Sequence, residues 1–234
     1  MRLLIVIPAY NEVESLPQVM TELREVAPEL DYVIVNDGSG DQTAELCRTQ
    51  GYHLLDLPTN LGLSGAFQAG IRYAVKNGYE AVLQLDADGQ HDPRYIGAMV
   101  RKMTESGADL VIGSRFVTEK KPASLRMLGS RLIAGAIRLT TGKKLTDPTS
   151  GMRLWGKNLL GEMAYNINYR PEPDTLAYLI RSGAKVEEIQ VTMRERTAGE
   201  SYLSVGKSMK YMVQMCMNIL FIQWVLKPGT PEKK

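Results

Sequence analysis

The sequence is poor in the residues that build disulfide scaffolds and zinc sites. Its two cysteines, Cys47 and Cys216, lie far apart and in no metal-ligand spacing, so neither a disulfide framework nor a zinc site is predicted. An excess of one charge is also lacking, because 28 basic residues stand against 26 acidic ones. Proteins that bind nucleic acid usually carry a basic field. Nucleic acid is therefore excluded as an expected partner.

Long hydrophobic runs are missing near both ends of the chain. The apolar run before Pro8 covers only residues 3–7, which is too short for a signal-peptide core. A cytoplasmic protein is therefore expected. The uncharged stretch 211–226 would be roughly 24 Å long as a helix, whereas a spanning helix needs roughly 20 residues. Residues 207–226 are therefore predicted to form an amphipathic helix at a membrane surface or against a partner. Packing on the protein's own core is the alternative.

Short apolar runs alternate with stretches of helical spacing through the first half of the chain. Such runs are typical of strands buried on both faces of a parallel sheet. We therefore predict an α/β fold with a Rossmann-like, mostly parallel sheet and helices on both faces. The predicted strands are 3–7, 32–35, 53–57, 81–85 and 110–112, and the helices between them are 14–26, 43–49, 65–76 and 93–104. Residues 1–202 are expected to form the catalytic domain and 203–234 a C-terminal helix and polar tail.

Polar or glycine-rich segments follow each of the first four predicted strands: PAYNE, NDGSGDQT, NLGLSGAFQAG and DADGQHDP. Ligands of such sheets bind beyond the carboxyl ends of the strands, so one edge of the sheet is expected to hold the site. Asp37 in the second segment could accept from a base or ribose, although Asp-Gly-Ser is also ordinary turn sequence. Gly62, Gly65 and Gly70 lack the dinucleotide-binding spacing and position and are interpreted as packing and turn residues.

The segment after the fourth strand is a candidate metal site. Asp86 and Asp88 are separated by one residue, and alternate residues of an extended segment point the same way. Two carboxylates so close repel each other unless a cation or protons lie between them, and oxygen ligands suit Mg²⁺ or Mn²⁺. A solvated acidic turn, with Asp92 as the N-cap of the next helix, is the alternative. His91 is expected to be a hydrogen-bonding residue rather than a ligand or general base.

Six segments in order resemble family 2 glycosyltransferases: IPAYNE, VNDGSGDQT, NLGLSGAFQAG, LDADGQHDP, GSRF and DPTSGMR. The resemblance is to the branch that includes dolichol-phosphate mannose synthase and bacterial polyprenyl-phosphate glycosyltransferases. A weaker similarity, RERTAGES, begins at Arg194. The resemblance implies a glycosyltransferase A fold. This sequence departs from the branch at two places. Asn36-Asp37 stands where a pair of acids is usual, and Tyr202 stands where a basic residue is usual.

The resemblance also implies residue roles. It places the base and ribose against Pro8, Ala9, Tyr10, Glu12 and Asp37. It places Mg²⁺ or Mn²⁺, with the donor diphosphate, on Asp86, Asp88 and Gln90. A second diphosphate contact would come from Arg196. Arg115 would meet phosphate, and Arg126, Ser130 and Arg131 would receive the phosphate of the acceptor, since guanidinium groups pair bidentately with phosphate oxygens.

The expected activity is inverting transfer of a hexose or N-acetylhexosamine from a nucleotide sugar, with UDP as the expected nucleotide. The expected acceptor is a polyprenyl phosphate used for cell-envelope polysaccharide or glycoconjugate synthesis. If the acceptor were instead a saccharide hydroxyl, a carboxylate base would be required. Asp147 is the first choice for that base, before Glu172 and Asp174. The set expected to be catalytic is thus Asp88, Arg115 and Asp147.

Two other readings stay open at this point, a non-catalytic transferase-like module and, less well supported, a nicotinamide-dependent oxidoreductase. The protein is expected to lie on the inner face of the cell membrane, attached through residues 207–226. A small membrane protein and a second copy of the chain are the further partners considered.

Overall fold

The structure, a computed structural model, describes residues 1–166, 171–194 and 205–222. It contains a seven-stranded sheet in the order β3-β2-β1-β4-β6-β5-β7. All neighbouring strands are parallel except that β6 runs antiparallel to both β4 and β5. The strands are β1 Leu3–Ala9, β2 Asp31–Asn36, β3 Leu54–Asp56, β4 Ala81–Gln84, β5 Leu110–Ser114, β6 Arg153–Gly156 and β7 Val186–Gln190.

Helices cover both faces of this sheet. They are α1 Leu16–Val26, α2 Thr43–Thr49, α3 Gly62–Lys76, α4 Ile96–Ser106, α5 Leu125–Thr141, α6 Lys157–Tyr165, α7 Pro173–Arg181 and α8 Val205–Met217. A 3₁₀ turn at Pro93–Tyr95 precedes α4, and a π-helical turn at Asn218–Ile222 follows α8. Asp92 accepts the backbone N–H of Arg94 at 3.0 Å, as expected of the N-cap predicted there.

The two faces of β1 show why the apolar runs were continuous. Leu4 and Val6 belong to a core shared with α3, α5, α6, α7 and α8, whereas Leu3, Ile5 and Ile7 pack with α1, α2 and α4 on the other face. Because both faces are buried, every position of the strand is apolar. The α/β class and the mostly parallel sheet predicted from the sequence are confirmed.

The third predicted strand and residues 153–165 show where pattern reading fell short, whereas the helices expected near 124–139 and 173–182 and the strand expected near 185–191 are present as α5, α7 and β7. The run 53–57 forms only the three-residue strand β3. Neither β6 nor α6 was predicted. β6 has four residues, too few for a recognisable period, and its antiparallel insertion depends on partners elsewhere in the chain.

The last described helix packs on the core along one side. Met215 and Ile219 are buried with residues of α5 and α7, whereas Val213, Met217 and Phe221 are exposed. Core packing thus describes one side of this helix, the membrane-surface or partner contact stays a prediction, and residues 223–226 of the predicted segment lie outside the described residues. Within the described ranges, no helix combines the length and apolar character that crossing a bilayer requires.

Candidate functional site

The segments that follow β1 and β2 are bound to each other. The N–H of Asn11 donates to Ser39 Oγ at 2.9 Å, and Asn11 Oδ1 accepts from the N–H of Gly40 at 2.9 Å. Asn11 has φ 56°, a left-handed conformation that asparagine tolerates better than most residues. The turn after β1 is therefore held in position by the turn after β2.

Asn36 and Asp37 have different partners. Asn36 donates to Asp56 Oδ1 at 2.6 Å and accepts from Ser39 Oγ at 2.5 Å, so it fixes the turn. Asp37 is buried, and its Oδ1 accepts the N–H of Leu61 at 2.7 Å. Asp37 is therefore the single acid at this motif, and it borders the cavity at the carboxyl ends of β1, β2 and β4.

A cavity of about 460 Å³ lies at the carboxyl ends of β1, β2 and β4. This volume is within the range of small-molecule sites, roughly 300–1,000 Å³. The structure brings together seven residues assigned to the donor or metal from the sequence. They are Pro8, Ala9, Tyr10, Glu12, Asp37, Asp86 and Asp88.

Three neighbours hold the Asp86 carboxylate. Gln84 Nε2 donates to its Oδ1 at 3.1 Å, and His91 Nε2 lies 3.6 Å from its Oδ2. His91 Nδ1 accepts the Asp86 N–H at 3.0 Å, so the neutral ring carries its proton on Nε2, facing the carboxylate. His91 has the hydrogen-bonding position expected of it. The third neighbour is Gly151, where an added Cβ would lie 3.0 Å from Asp86 Oδ2.

Asp88 and Gln90 occupy the tight turn that follows. Asp88 is buried, and its Oδ1 accepts the N–H of Gln90 at 3.0 Å. The Gln90 side chain donates to the carbonyl of Arg194 at 3.4 Å. It is absent from the lining of the cavity of about 460 Å³, which we call the donor cavity because its residues were assigned to the donor from the sequence. The structure thus places two of the three expected ligands together.

The carboxylate oxygens of Asp86 and Asp88 fit a divalent cation that a diphosphate also binds. The described residues contain no cluster of three or more His, Cys, Asp or Glu side chains able to hold a metal by themselves. Mg²⁺ typically uses one or two carboxylates together with substrate phosphates and waters. Asp86 and Asp88 on one cavity match that pattern.

Arg115 and Asp147 form a bidentate ion pair beside β5. Arg115 Nε donates to Asp147 Oδ2 at 2.7 Å, and its Nη2 donates to Oδ1 at 2.9 Å. Asp147 is fully buried, and Thr149 Oγ1 also donates to its Oδ1 at 3.1 Å. Glu188 on β7 accepts the N–H of Asp147 at 2.8 Å. Both carboxylate oxygens of Asp147 therefore have donors.

A lysine that the sequence analysis did not select stands among these residues. Lys121 Nζ donates to Ser130 Oγ at 2.9 Å, and Arg131 Nη2 donates to the carbonyl of Lys121 at 2.8 Å. Burial lowers the pKa of Lys121, and the Asp147 carboxylate acts in the opposite direction. Lys120 is exposed and Lys121 is half-buried. The sequence of the Lys120-Lys121 pair gives no sign of this difference. We call Arg115, Lys121, Ser130 and Arg131 the basic cluster.

Two predicted phosphate contacts are not placed. Arg126 lies in the first turn of α5, where only the backbone is described, and Arg196 lies outside the described residues. Arg194, two residues earlier, is fixed by ion pairs to Glu22 at 2.5 Å and Asp92 at 3.2 Å. The roles of Arg126 and Arg196 stay predictions.

Residues 4–163 match the family described as Glycosyl transferase family 2. The chain belongs to this family. It is 35% identical over 221 residues to the undecaprenyl-phosphate mannosyltransferase of Micrococcus luteus, covering 88% of this chain and 89% of that protein. It is 29% identical to the polyprenol monophosphomannose synthase of Mycolicibacterium smegmatis, covering 87% and 81%. The family and branch resemblance stated from the sequence is thus confirmed.

A solved structure shares the fold of this chain. Glucosyl-3-phosphoglycerate synthase from Mycobacterium tuberculosis, in complex with Mn²⁺, UDP and glucosyl-3-phosphoglycerate, superposes with a TM-score of 0.70. The match covers 93% of this chain and 79% of the other at 16% identity. The expected glycosyltransferase A fold is confirmed.

The close approach at Gly151 gives a test of the metal site. Gly151→Ala should displace the Asp86 carboxylate, because the new Cβ would lie 3.0 Å from Oδ2 and 3.2 Å from the His91 ring. We expect Mn²⁺ affinity in the presence of UDP or GDP to fall about tenfold, a change of about 1.4 kcal/mol. Gly161→Ala, on α6 with nothing near its added Cβ, is the control. Equal Mn²⁺ affinity in both variants, measured by calorimetry, would contradict the assignment.

Proposed function

We propose that this chain is an inverting transferase that moves a sugar from a nucleotide sugar to a polyprenyl phosphate. The observation that carries the proposal is a set of three surfaces: the acidic donor cavity, the basic cluster and an apolar groove whose lining includes Arg131 of that cluster. The names of the two sequence relatives support the same acceptor class. The expected donor is a UDP-linked hexose or N-acetylhexosamine, with GDP as the nucleotide to be tested against UDP.

On the donor side, Asp37 would accept from the base or ribose, and Asp86 and Asp88 would hold Mg²⁺ or Mn²⁺ with the diphosphate. When bound, the metal supplies charge neutralisation to the departing nucleoside diphosphate. The chain's own contribution is orientation. His91 and Gln84 keep Asp86 in one position, and Asp88 is fixed by the N–H of Gln90.

On the acceptor side, the basic cluster would bind the lipid's phosphate. Lys121 is a half-buried ammonium, and a phosphate beside it would offset the burial that lowers its pKa. Asp147 keeps the Arg115 guanidinium in one orientation, which leaves less freedom to be lost when a phosphate binds.

A phosphate acceptor agrees with the hydrogen bonds made by the three carboxylates that could act as a base. A saccharide hydroxyl would need a general base, and all three candidates already have donors. Asp147 accepts from Arg115, Glu172 accepts from Tyr211, and Asp174 accepts from Asn218. A phosphate oxygen is already anionic near neutral pH and needs no strong base. In this proposal Asp147 therefore positions Arg115 and removes no proton.

The reaction is then one displacement at the anomeric carbon. An oxygen of the acceptor phosphate forms the new bond to that carbon, and the bond to the donor's diphosphate breaks with its electron pair leaving on the nucleotide. Attack opposite the departing group inverts the configuration. Orientation and charge neutralisation account for catalysis of this kind.

The lipid chain has an apolar surface beside the basic cluster. A groove of about 500 Å³ between α5 and α8 is lined by Leu128, Leu132, Leu139, Met212, Val213 and Met217, with Arg131 at its polar end. We propose that it receives the first isoprene units of the acceptor and lies against the inner face of the membrane. Large exposed apolar patches mark such contacts. A small membrane protein and a second copy of the chain stay predicted partners.

The donor and the metal requirement are tested together. The protein is incubated with radiolabelled UDP- and GDP-sugars and undecaprenyl phosphate, and product is extracted into organic solvent. We expect label in the lipid phase with at least one donor, and loss of it in chelator or in Asp88→Asn, whose fold is checked by circular dichroism. Full activity of Asp88→Asn, or no lipid-linked product from any donor, would refute the proposal.

The two adjacent lysines test the acceptor site. Lys121→Met should raise the KM for undecaprenyl phosphate about tenfold, since one charge-assisted hydrogen bond contributes about 1.5–3 kcal/mol, with the KM for the donor nearly unchanged. Lys120→Met removes the same charge from an exposed position and should resemble the wild type. If the two variants behave alike, Lys121 does not contact the acceptor.

The apolar groove is tested with charge. Leu132→Lys places a cation in the groove, and Val26→Lys places one at an exposed position on α1. Only Leu132→Lys should reduce sedimentation with neutral liposomes and raise the KM for the long-chain acceptor. The activity of both variants toward a water-soluble short-chain phosphate should remain. Equal sedimentation of both variants would argue against the groove as the membrane contact.

A further inference from the structure

A second cavity, of about 340 Å³, lies next to the donor cavity, and Leu63 borders both. Divided by about 30 Å³ for each water, this volume corresponds to roughly eleven waters, which leaves room for one hexose. Its walls come from β4, β6, α5, α7 and α8. The polar side chains among its lining residues are Gln84, Ser130, Thr149, Ser150, Arg153, Glu172 and Tyr211.

Two residues that line this cavity each carry a buried polar atom with no hydrogen-bond partner among the described residues. Arg153 is 2% exposed; its Nε donates to the carbonyl of Ser150 and its Nη2 to that of Pro148, but its Nη1 has no acceptor. Gln84 is 1% exposed, and its Oε1 has no donor. Leaving such a group unsatisfied costs about 1–3 kcal/mol. Both atoms therefore need a ligand or an ordered water.

The two side chains face the same space. Gln84 and Arg153 lie directly opposite each other in the antiparallel pairing of β4 and β6, and directly opposed residues share one face of a sheet. Even so, the unsatisfied donor and the unsatisfied acceptor do not bond to each other. A group that accepts from one and donates to the other would satisfy both.

A hydroxyl group has this property, because its oxygen accepts a hydrogen bond while its proton is donated. A fully ionised phosphate has no proton to donate to Gln84 Oε1. The Glu172 carboxylate, which accepts a hydrogen bond from Tyr211, borders the same cavity and would repel an anion. The cavity therefore favours a neutral polyhydroxyl group over a phosphate.

The position of the cavity relative to the metal site identifies that group. Gln84 Nε2 is bonded to Asp86, so the cavity begins one hydrogen bond away from the carboxylate assigned to the donor diphosphate. We propose that this cavity is the sugar-recognition site of the donor, with Arg153 and Gln84 bound to one sugar hydroxyl and Tyr211 of α8 forming the opposite wall. The inference rests on the proposed function and names the residues that select its sugar.

Binding of nucleotide with and without its sugar tests the inference. Calorimetry with Mn²⁺ is carried out for the pairs UDP and UDP-glucose, and GDP and GDP-mannose. In Gln84→Met, which is nearly isosteric, the Kd of the bound nucleotide sugar should rise about tenfold, as expected for one lost hydrogen bond. The Kd of the matching nucleoside diphosphate should rise much less, because that binding loses only the support that Gln84 gives to Asp86. Gln18→Met, at an exposed position of α1, is the control and should change neither value.

The alternative outcomes separate the possible failures. Equal weakening of nucleotide and nucleotide sugar would mean that Gln84 acts only by supporting Asp86, and weakening of neither would mean that the cavity holds water; both results overturn the inference. Absence of nucleotide binding by the wild type would instead overturn the proposed function. Tyr211→Phe supplies a second comparison if Gln84→Met does not fold, and it should weaken nucleotide-sugar binding several-fold without affecting the nucleoside diphosphate.

Discussion

The antiparallel insertion of β6 between β4 and β5 is the constraint on which the rest of the site depends. It brings the loop before β6 across the end of β4, so that Gly151 lies beside the Asp86 carboxylate and Asp147 pairs with Arg115. One reversed strand thus connects the acidic edge of the sheet, with Asp86 and Asp88, to the basic cluster.

Opposite charges are kept separate along this edge by fixed partners. The Asp86 carboxylate accepts from the neutral Gln84 side chain and lies 3.6 Å from His91 Nε2, whereas Asp147 is held by a cation. A carboxylate without a paired cation attracts a metal ion strongly. A carboxylate already paired with arginine attracts a metal ion much less. The same side-chain type therefore has two different roles within one site, set by its neighbours.

Much of the donor half could be predicted from the sequence because its signals are local. The predicted cavity residues from Pro8 to Asp88 lie at or just after the ends of β1, β2 and β4, and strand ends of a parallel sheet lie at one edge. The acceptor half was less accessible. Lys121 differs from Lys120 only through burial produced by α5, and the importance of Arg153 comes from its pairing with β4. Such contacts join distant parts of the chain, and single-sequence patterns do not contain them.

The position of Tyr211 has a practical consequence. Helix α8 carries exposed apolar residues, so its removal is an obvious way to make the protein easier to handle without detergent. The same helix closes one side of the cavity that contains Gln84 and Arg153. A shortened protein would then present an open, solvated pocket, and the preferences it displayed toward different carbohydrates would be poor guides to the selectivity of the intact chain.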